Sequence, residues 1–327
     1  MKQMADDRLV LEVDDLKTYF FTRWGVVKAV DGVSFSLRQK ESLGLVGESG
    51  CGKSVTALSL LRLVPQPAGR IMGGKIRLLG EELLSKSERE MRKVRGRLIS
   101  MILQDPMTSL NPVFRIGFQV GEAIQMHQGV RGKSLWDKAK EVLRLVHIPS
   151  PEARLRSYPH EMSGGMRQRV VGAIALSCRP AVLIADEPTT SLDVTIQAQY
   201  LKLLRDIQRE ASMSLIFITH DFGIVAQMCD RVAVMYAGKI VERGSVLDIF
   251  DSPTHPYTQA LLAAVPPMEG RPKRLFSIEG QPPSLHDLPP GCPFYDRCIQ
   301  RRDRCRENYP AEVEVSPGHS VNCWEAV

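Results

Sequence analysis

The sequence predicts an α/β fold with a parallel central sheet, and three observations carry the prediction. A glycine-rich loop, Gly47-Glu48-Ser49-Gly50-Cys51-Gly52-Lys53-Ser54, follows the apolar run Ser42-Leu-Gly-Leu-Val46. After it, residues 54–64 read as a helix that stops at Pro65, so the loop has a strand before it and a helix behind it. Two more apolar runs, Ala181-Val-Leu-Ile-Ala185 and Leu215-Ile-Phe-Ile-Thr219, are unbroken, as suits parallel strands covered on both faces. They end in Asp186-Glu187 and His220-Asp221. Open α/β sheets place ligands at the carboxyl ends of their strands, so both endings are expected to converge on the loop.

The remaining elements follow in chain order. Leu9-Val-Leu11-Glu-Val13 and Val33-Ser-Phe35-Ser-Leu37 alternate apolar and polar residues, the period of half-buried antiparallel strands. A mostly helical insertion is expected between the loop and residue 163. Within it, Ser134-Leu-Trp-Asp137 reads as an N-cap with an acid at the third position, followed by Leu135, Ala139, Val142 and Val146 on one face. Residues 231–242 read as a hairpin turning at Ala237-Gly238. From Pro253 onward lie 12 of the 21 prolines, which disfavour long helices and central strands. This tail is expected to be a separate small unit in need of a staple.

Composition narrows the class. Hydrophobic content of 43% and charged content of 24% are ordinary for a globular protein. No apolar run approaches the roughly 18–20 residues that a membrane helix needs. The first eight residues carry acids and no apolar core, so no secretory signal is expected and a cytosolic setting is. The net charge of +6 is spread along the chain, and no nucleic-acid partner is expected from it.

The chemistry of the loop is specific. Glycines let the backbone curl so that successive N–H groups point at phosphate oxygens, and the helix behind adds its positive end. Lys53 is expected to reach the β- and γ-phosphates of a nucleotide and Ser54 to ligate Mg²⁺, with residues Gly47, Glu48, Ser49, Gly50, Cys51, Gly52 and Val55 around them. Asp186 is expected to orient Mg²⁺, and Glu187 to act as general base for the attacking water. His220 ends the next strand. Gln104 is an amide able to orient water or touch Mg²⁺. Ser163-Gly164-Gly165 opens a helix whose backbone donors suit a γ-phosphate.

In that order, the phosphate loop, Gln104, Ser163-Gly164-Gly165, Asp186-Glu187, Ser191-Leu192-Asp193 and His220 resemble the ABC ATPase superfamily over residues 9–250. The resemblance implies a RecA-like parallel sheet core with an antiparallel β subdomain and an α-helical subdomain at about residues 105–175, together forming a cassette over residues 1–251. It also implies a head-to-tail pair of cassettes, in which ATP on Lys53 of one is closed over by Ser163, Gly164 and Gly165 of the other. Asp193 would cross that interface, and Tyr19, with Phe20 and Phe21 as neighbours, would stack on adenine. Glu187, Gln104 and His220 carry the implied catalysis. The chain departs from the family pattern at Met166, where glutamine is usual, which makes the usual glutamine contact unavailable.

The resemblance tightens at Gln104-Asp-Pro-Met-Thr-Ser-Leu-Asn-Pro112, at residues 186–195 and at His255-Pro-Tyr-Thr-Gln-Ala-Leu-Leu262, which are similar to ATPase subunits of bacterial dipeptide/oligopeptide importers. That family implies peripheral attachment at the cytoplasmic face of the cell (inner) membrane. Its partners are a second, related ATPase, two transmembrane permeases and an extracytoplasmic binding protein. Phe114-Arg-Ile-Gly-Phe118 is the expected groove for a permease. Nickel chelates, glutathione and opines are the alternative cargoes, and a non-transport ABC ATPase acting on nucleic acid or ribosomes is the rival class. Residues 252–327 would then be a small Cys/Pro-rich C-terminal domain. Its Cys292, Cys298, Cys305 and Cys323 lack the tight pairs common in zinc sites, and the importer family implies a [4Fe–4S] cluster there, with zinc as the alternative.

Overall fold

The period-2 segments near the start form long antiparallel strands in a computed structural model, which describes residues 8–190, 192–265 and 276–326. In chain order these are β1 (Leu9–Thr22), β2 (Gly25–Arg38), β3 (Ser42–Val46), β4 (Gly69–Leu78) and β5 (Glu81–Glu82). Next come β6 (Ile99–Ile102), β7 (Val182–Asp186), β8 (Ser214–Thr219), β9 (Arg231–Tyr236) and β10 (Lys239–Ser245). The last two are β11 (Val313–Ser316) and β12 (His319–Val321). The described residues fall into two compact units, one over residues 11–36, 42–84, 218–265 and 276–326, the other over residues 8–10, 37–41, 85–190 and 192–217.

The first unit holds the phosphate loop. Its antiparallel sheet runs β2-β1-β4-β5, with Leu11 opposite Leu78 and Val13 opposite Ile76. All four side chains are buried, as the alternation requires. Its other strands run β11-β12-β10-β9-β3, with β3 parallel to β9 and β10 antiparallel to both β9 and β12. The β9–β10 turn has positive φ at Ala237 (46°) and Gly238 (82°), the pair of left-handed residues that a tight hairpin needs. A Cβ on Gly238 would lie 2.7 Å from the Lys28 carbonyl oxygen. The core gathers Val46, Val232, Val234, Tyr236, Tyr257 and Phe294.

Two expectations change in this unit. The helix behind the loop spans Lys53–Leu60, not residues 54–64, because the chain turns at Arg62 with φ 51°. Residues of the proline-rich tail pack in this same unit instead of forming a separate body. Tyr257 and Phe294 enter its core, and β12 extends its sheet.

The second unit carries β8-β7-β6, with β6 and β7 parallel. Every residue of β7 is buried, which explains its unbroken apolar run. The helices Ile116–Gln128, Gly132–Leu145 and Gly164–Leu176 belong to this unit. The second of them starts ahead of the expected cap at Ser134, and Arg131 takes the N-cap position. Its buried stripe is Ala139, Leu143 and then Val146 just beyond its end, the i, i+4, i+7 spacing of one helical face.

Candidate functional site

The phosphate loop closes on itself. The Lys53 ammonium donates to the carbonyls of Gly47 (2.7 Å) and Glu48 (2.9 Å), and Gly238 N–H donates to the Cys51 carbonyl at 2.9 Å. Gly47, Gly50 and Gly52 have φ of 150°, 80° and 111°, a run that side-chain-bearing residues rarely adopt. A Cβ on Gly50 would meet nothing within 4 Å, so the loop presents open backbone there. Ser54 lies in the first turn of the helix capped by Gly52, with Val55 next to it. Burial pushes the Cys51 thiol up, against the pull of Lys53, and it stays protonated. The Glu48 N–H donates to the Tyr257 hydroxyl at 2.8 Å, an engagement that nothing in the local sequence announces.

The aromatic candidates separate by environment. Tyr19 is half-buried, and its hydroxyl donates to Asp31 Oδ1 at 2.6 Å. Burial raises the Asp31 carboxyl, but the Tyr19 hydroxyl and Lys239 hold it below the usual range. Phe20 packs close to Gly69, whereas Phe21 is exposed under the Arg70 guanidinium. His220 follows the end of β8 as an exposed residue, just before Asp221 caps the helix Phe222–Met228.

In the second unit the structure brings Gln104 and Glu187 together. Gln104 Nε2 donates to Glu187 Oε2 at 3.0 Å, and the Thr190 hydroxyl donates to the same oxygen at 3.1 Å. Glu187 has φ 42°, a left-handed conformation that costs a residue with a Cβ about 1–2 kcal/mol. It redirects the chain directly after Asp186, the buried last residue of β7. Thr190 was not expected to take part, although it lies within the quoted 186–195 segment.

Ser163 caps the helix Gly164–Leu176, its hydroxyl accepting from Met166 N–H at 3.4 Å. A Cβ on Gly164 would meet nothing within 4 Å, whereas one on Gly165 would lie 2.9 Å from Ile196 Cγ2. The helix N-terminus is therefore open at Gly164 and tightly backed at Gly165. Asp193 caps the helix Val194–Glu210 by accepting from Ile196 N–H at 3.0 Å, beside Val194, which is 83% exposed. Ser191 lies outside the described residues. Phe114 and Phe118 stack at 4.9 Å between ring centroids and are 45% and 54% exposed.

The tail cysteines require a correction. Cys292, Cys298, Cys305 and Cys323 do line one pocket, together with His255 and Phe294. Its volume is about 20 Å³, room for about one water molecule. Among the described residues, no group of three or more His, Cys, Asp or Glu side chains is disposed to hold a metal ion. Burial pushes the Cys292 thiol up to about 12 and raises Cys298 and Cys323 as well. The expected [4Fe–4S] cluster, and zinc in its place, do not fit. Spacing in sequence is matched by one shared pocket, but a shared pocket is not by itself a metal-holding arrangement. The tail is held instead by the β10–β12 pairing and by the contacts of Tyr236, Tyr257 and Phe294.

Comparison with known proteins agrees with this set of parts. A family profile described as "ABC transporter" matches residues 30–190, and one described as "Oligopeptide/dipeptide transporter, C-terminal region" matches residues 241–305. The chain is 53% identical over 319 residues to the probable peptide ABC transporter ATP-binding protein y4tR of Sinorhizobium fredii, covering 97% of this chain and 95% of that one. It is 51% identical over 315 residues to the dipeptide transport ATP-binding protein DppD of Bacillus subtilis, covering 96% and 94%. A dimeric ATP-binding cassette, MJ0796, solved with ADP and Pi after hydrolysis, shares the fold with a TM-score of 0.65 at 20% identity, over 72% of this chain and 98% of that one. The chain belongs to the ABC ATPases, in the family of dipeptide and oligopeptide transport ATP-binding proteins.

Proposed function

We propose that this protein is the ATP-hydrolysing subunit of an ABC importer that takes up dipeptides or oligopeptides. The observation that carries the reading is the open N-terminus of the helix Gly164–Leu176, capped by Ser163 and with nothing within 4 Å of a Cβ on Gly164. Backbone donors at a helix N-terminus suit an anion, and here they await a phosphate brought by another molecule. The chain has its own phosphate loop besides, so it supplies both halves of a head-to-tail pair.

In this reading residues 47–55 hold the triphosphate, Lys53 neutralises its β- and γ-oxygens, and Tyr19 stacks on adenine. Ser54, Asp186 and Gln104 are hard oxygen donors, the chemistry that Mg²⁺ takes alongside nucleotide phosphates, so the residues fit that ion. Bound there, it would offset the charge developing on the phosphate oxygens. Glu187 accepts the proton of the attacking water, Gln104 and Thr190 fix the orientation of its carboxylate, and His220 contacts the γ-phosphate. Asp193 and the Ser163 helix reach the partner cassette. Met166 leaves the Ser163 cap intact, because only its backbone N–H is used there.

Among the described residues, no helix is long and apolar enough to cross a membrane, so the permeases must supply the path. The protein then sits at the cytoplasmic face of the membrane with two permease subunits, a related second ATPase and an extracytoplasmic binding protein. Residues 1–251 form the cassette and 252–327 its importer-specific region. We assign the stacked pair Phe114 and Phe118 to the permease contact, since large exposed aromatics mark interaction sites. Replacing both by alanine is expected to halve or further reduce recovery of the assembled complex while the free subunit keeps its Tm. Full assembly and coupled transport would remove the assignment. Purifying the intact complex, identifying its subunits and measuring which solutes its binding protein retains tests the whole reading; peptides are expected, and retention of a metal chelate instead would refute the cargo.

A further inference from the structure

The phosphate loop is gripped at Glu48 by residues of the C-terminal segment. Glu48, the second loop residue, is secured at every polar group it has. Its carboxylate takes a two-pronged grip from Arg297, with Nη1 at 2.6 Å from Oε2 and Nη2 at 2.9 Å from Oε1. Its N–H donates to the Tyr257 hydroxyl, and its carbonyl accepts from Lys53. Arg297 is itself fixed, since Nε donates to the Glu279 carbonyl at 3.1 Å and Nη1 also donates to the Tyr236 hydroxyl at 3.3 Å. The Arg297 side chain is only 4% exposed and that of Glu48 27%. Two groups of the C-terminal segment, the Arg297 guanidinium and the Tyr257 hydroxyl, thus grasp a loop residue more than 200 positions earlier in the chain.

We infer that Arg297 is a positioning residue for nucleotide binding: by clamping Glu48 it sets the aim of the loop N–H groups toward the phosphates. The inference rests on the reading of residues 47–54 as a phosphate-binding loop. The physical argument is preorganisation. Loop amides hold a phosphate only when several point at one place, and a flexible glycine-rich loop loses entropy each time it adopts that shape. A planar guanidinium matched to a carboxylate fixes both distance and plane, which an ammonium does not. Since Glu48 spends its N–H and its carboxylate on the protein itself, its part among residues 47–55 is to aim the neighbouring N–H groups. Tyr257 acts on the same residue from a second direction. The C-terminal segment therefore has a part in the ATP site.

The test uses the full chain, titrated with Mg-ATP, with thermal unfolding measured in parallel. Lys53→Ala is the control for the loop reading: if it leaves ATP affinity unchanged, that reading fails, whatever Arg297 does. Given a working control, Arg297→Met is expected to weaken ATP binding roughly tenfold, the size of a lost charge-assisted contact. Arg297→Lys should recover part of the loss. Tyr257→Phe should weaken binding severalfold, and it gives a readout should Arg297→Met fold poorly. Glu48→Gln combined with Arg297→Met should be no worse than Arg297→Met alone, because both break one clamp. A lowered Tm with unchanged ATP affinity across Arg297→Met and Tyr257→Phe would make the clamp merely structural. Effects of Glu48→Gln and Arg297→Met that simply add would overturn the proposal equally.

Discussion

Glu187→Gln is expected to lower kcat for ATP hydrolysis by roughly 100- to 10,000-fold, the range over which a positioned general base contributes, while ATP still binds. The substitution keeps the shape of the side chain and removes only its ability to take a proton. Its neighbours tolerate the change: the Gln104 amide and the Thr190 hydroxyl donate to Oε2, and the carbonyl oxygen of a glutamine accepts the same two bonds. The strained backbone at φ 42° also persists, because it arises from the turn after Asp186. A variant that folds, binds and does not hydrolyse should accumulate in the ATP-bound pair of cassettes, seen as a dimer in size-exclusion chromatography with Mg-ATP. Unchanged turnover would remove Glu187 as the base. A loss of ATP affinity equal to the loss of kcat would instead give it a binding role.

The parts of the fold legible in sequence were those with local causes. The run before Asp186 was readable because a strand buried on both faces needs no polar positions, and β7 has none until its end. The hairpin at Ala237-Gly238 was readable because so few residues accept the left-handed turn it needs. The helix end at Leu60 was not: Leu63 and Val64 continue an apolar pattern, and the turn at Arg62 has no signal in residue type. The Arg297–Glu48 clamp joins residues 249 positions apart, and no periodicity or spacing reports a contact of that kind. The cysteine spacing was matched by a shared pocket, but closeness in sequence does not set the disposition of side chains that a metal ion needs. Asp193 shows a further limit: its motif suggests a contact with another cassette, and within the chain it also caps a helix.

The phosphate loop makes the second large prediction, in which two glycines two positions apart should respond very differently to alanine. Gly52 has φ 111°, and a Cβ there would lie 2.3 Å from the Ala29 carbonyl oxygen, with Met235 Cε at 3.2 Å on another side. The nearest obstacle is backbone, so the loop or its neighbouring strand must shift. Gly52 is also the N-cap of the helix Lys53–Leu60, so a shift there misplaces both Lys53 and Ser54. Gly52→Ala should cost several kcal/mol of stability, as strain at a special backbone conformation does, and abolish measurable ATP binding. At Gly50 (φ 80°) an added Cβ meets nothing within 4 Å, which leaves only the left-handed penalty of about 1–2 kcal/mol. Gly50→Ala should therefore lower the Tm by a few degrees and weaken ATP binding without abolishing it. Chemical denaturation and ATP titration of the two variants side by side separate steric overlap from backbone preference. Equal losses would mean that the loop relaxes around the Ala29 carbonyl, and that its shape is set by the phosphates it binds more than by the walls behind it.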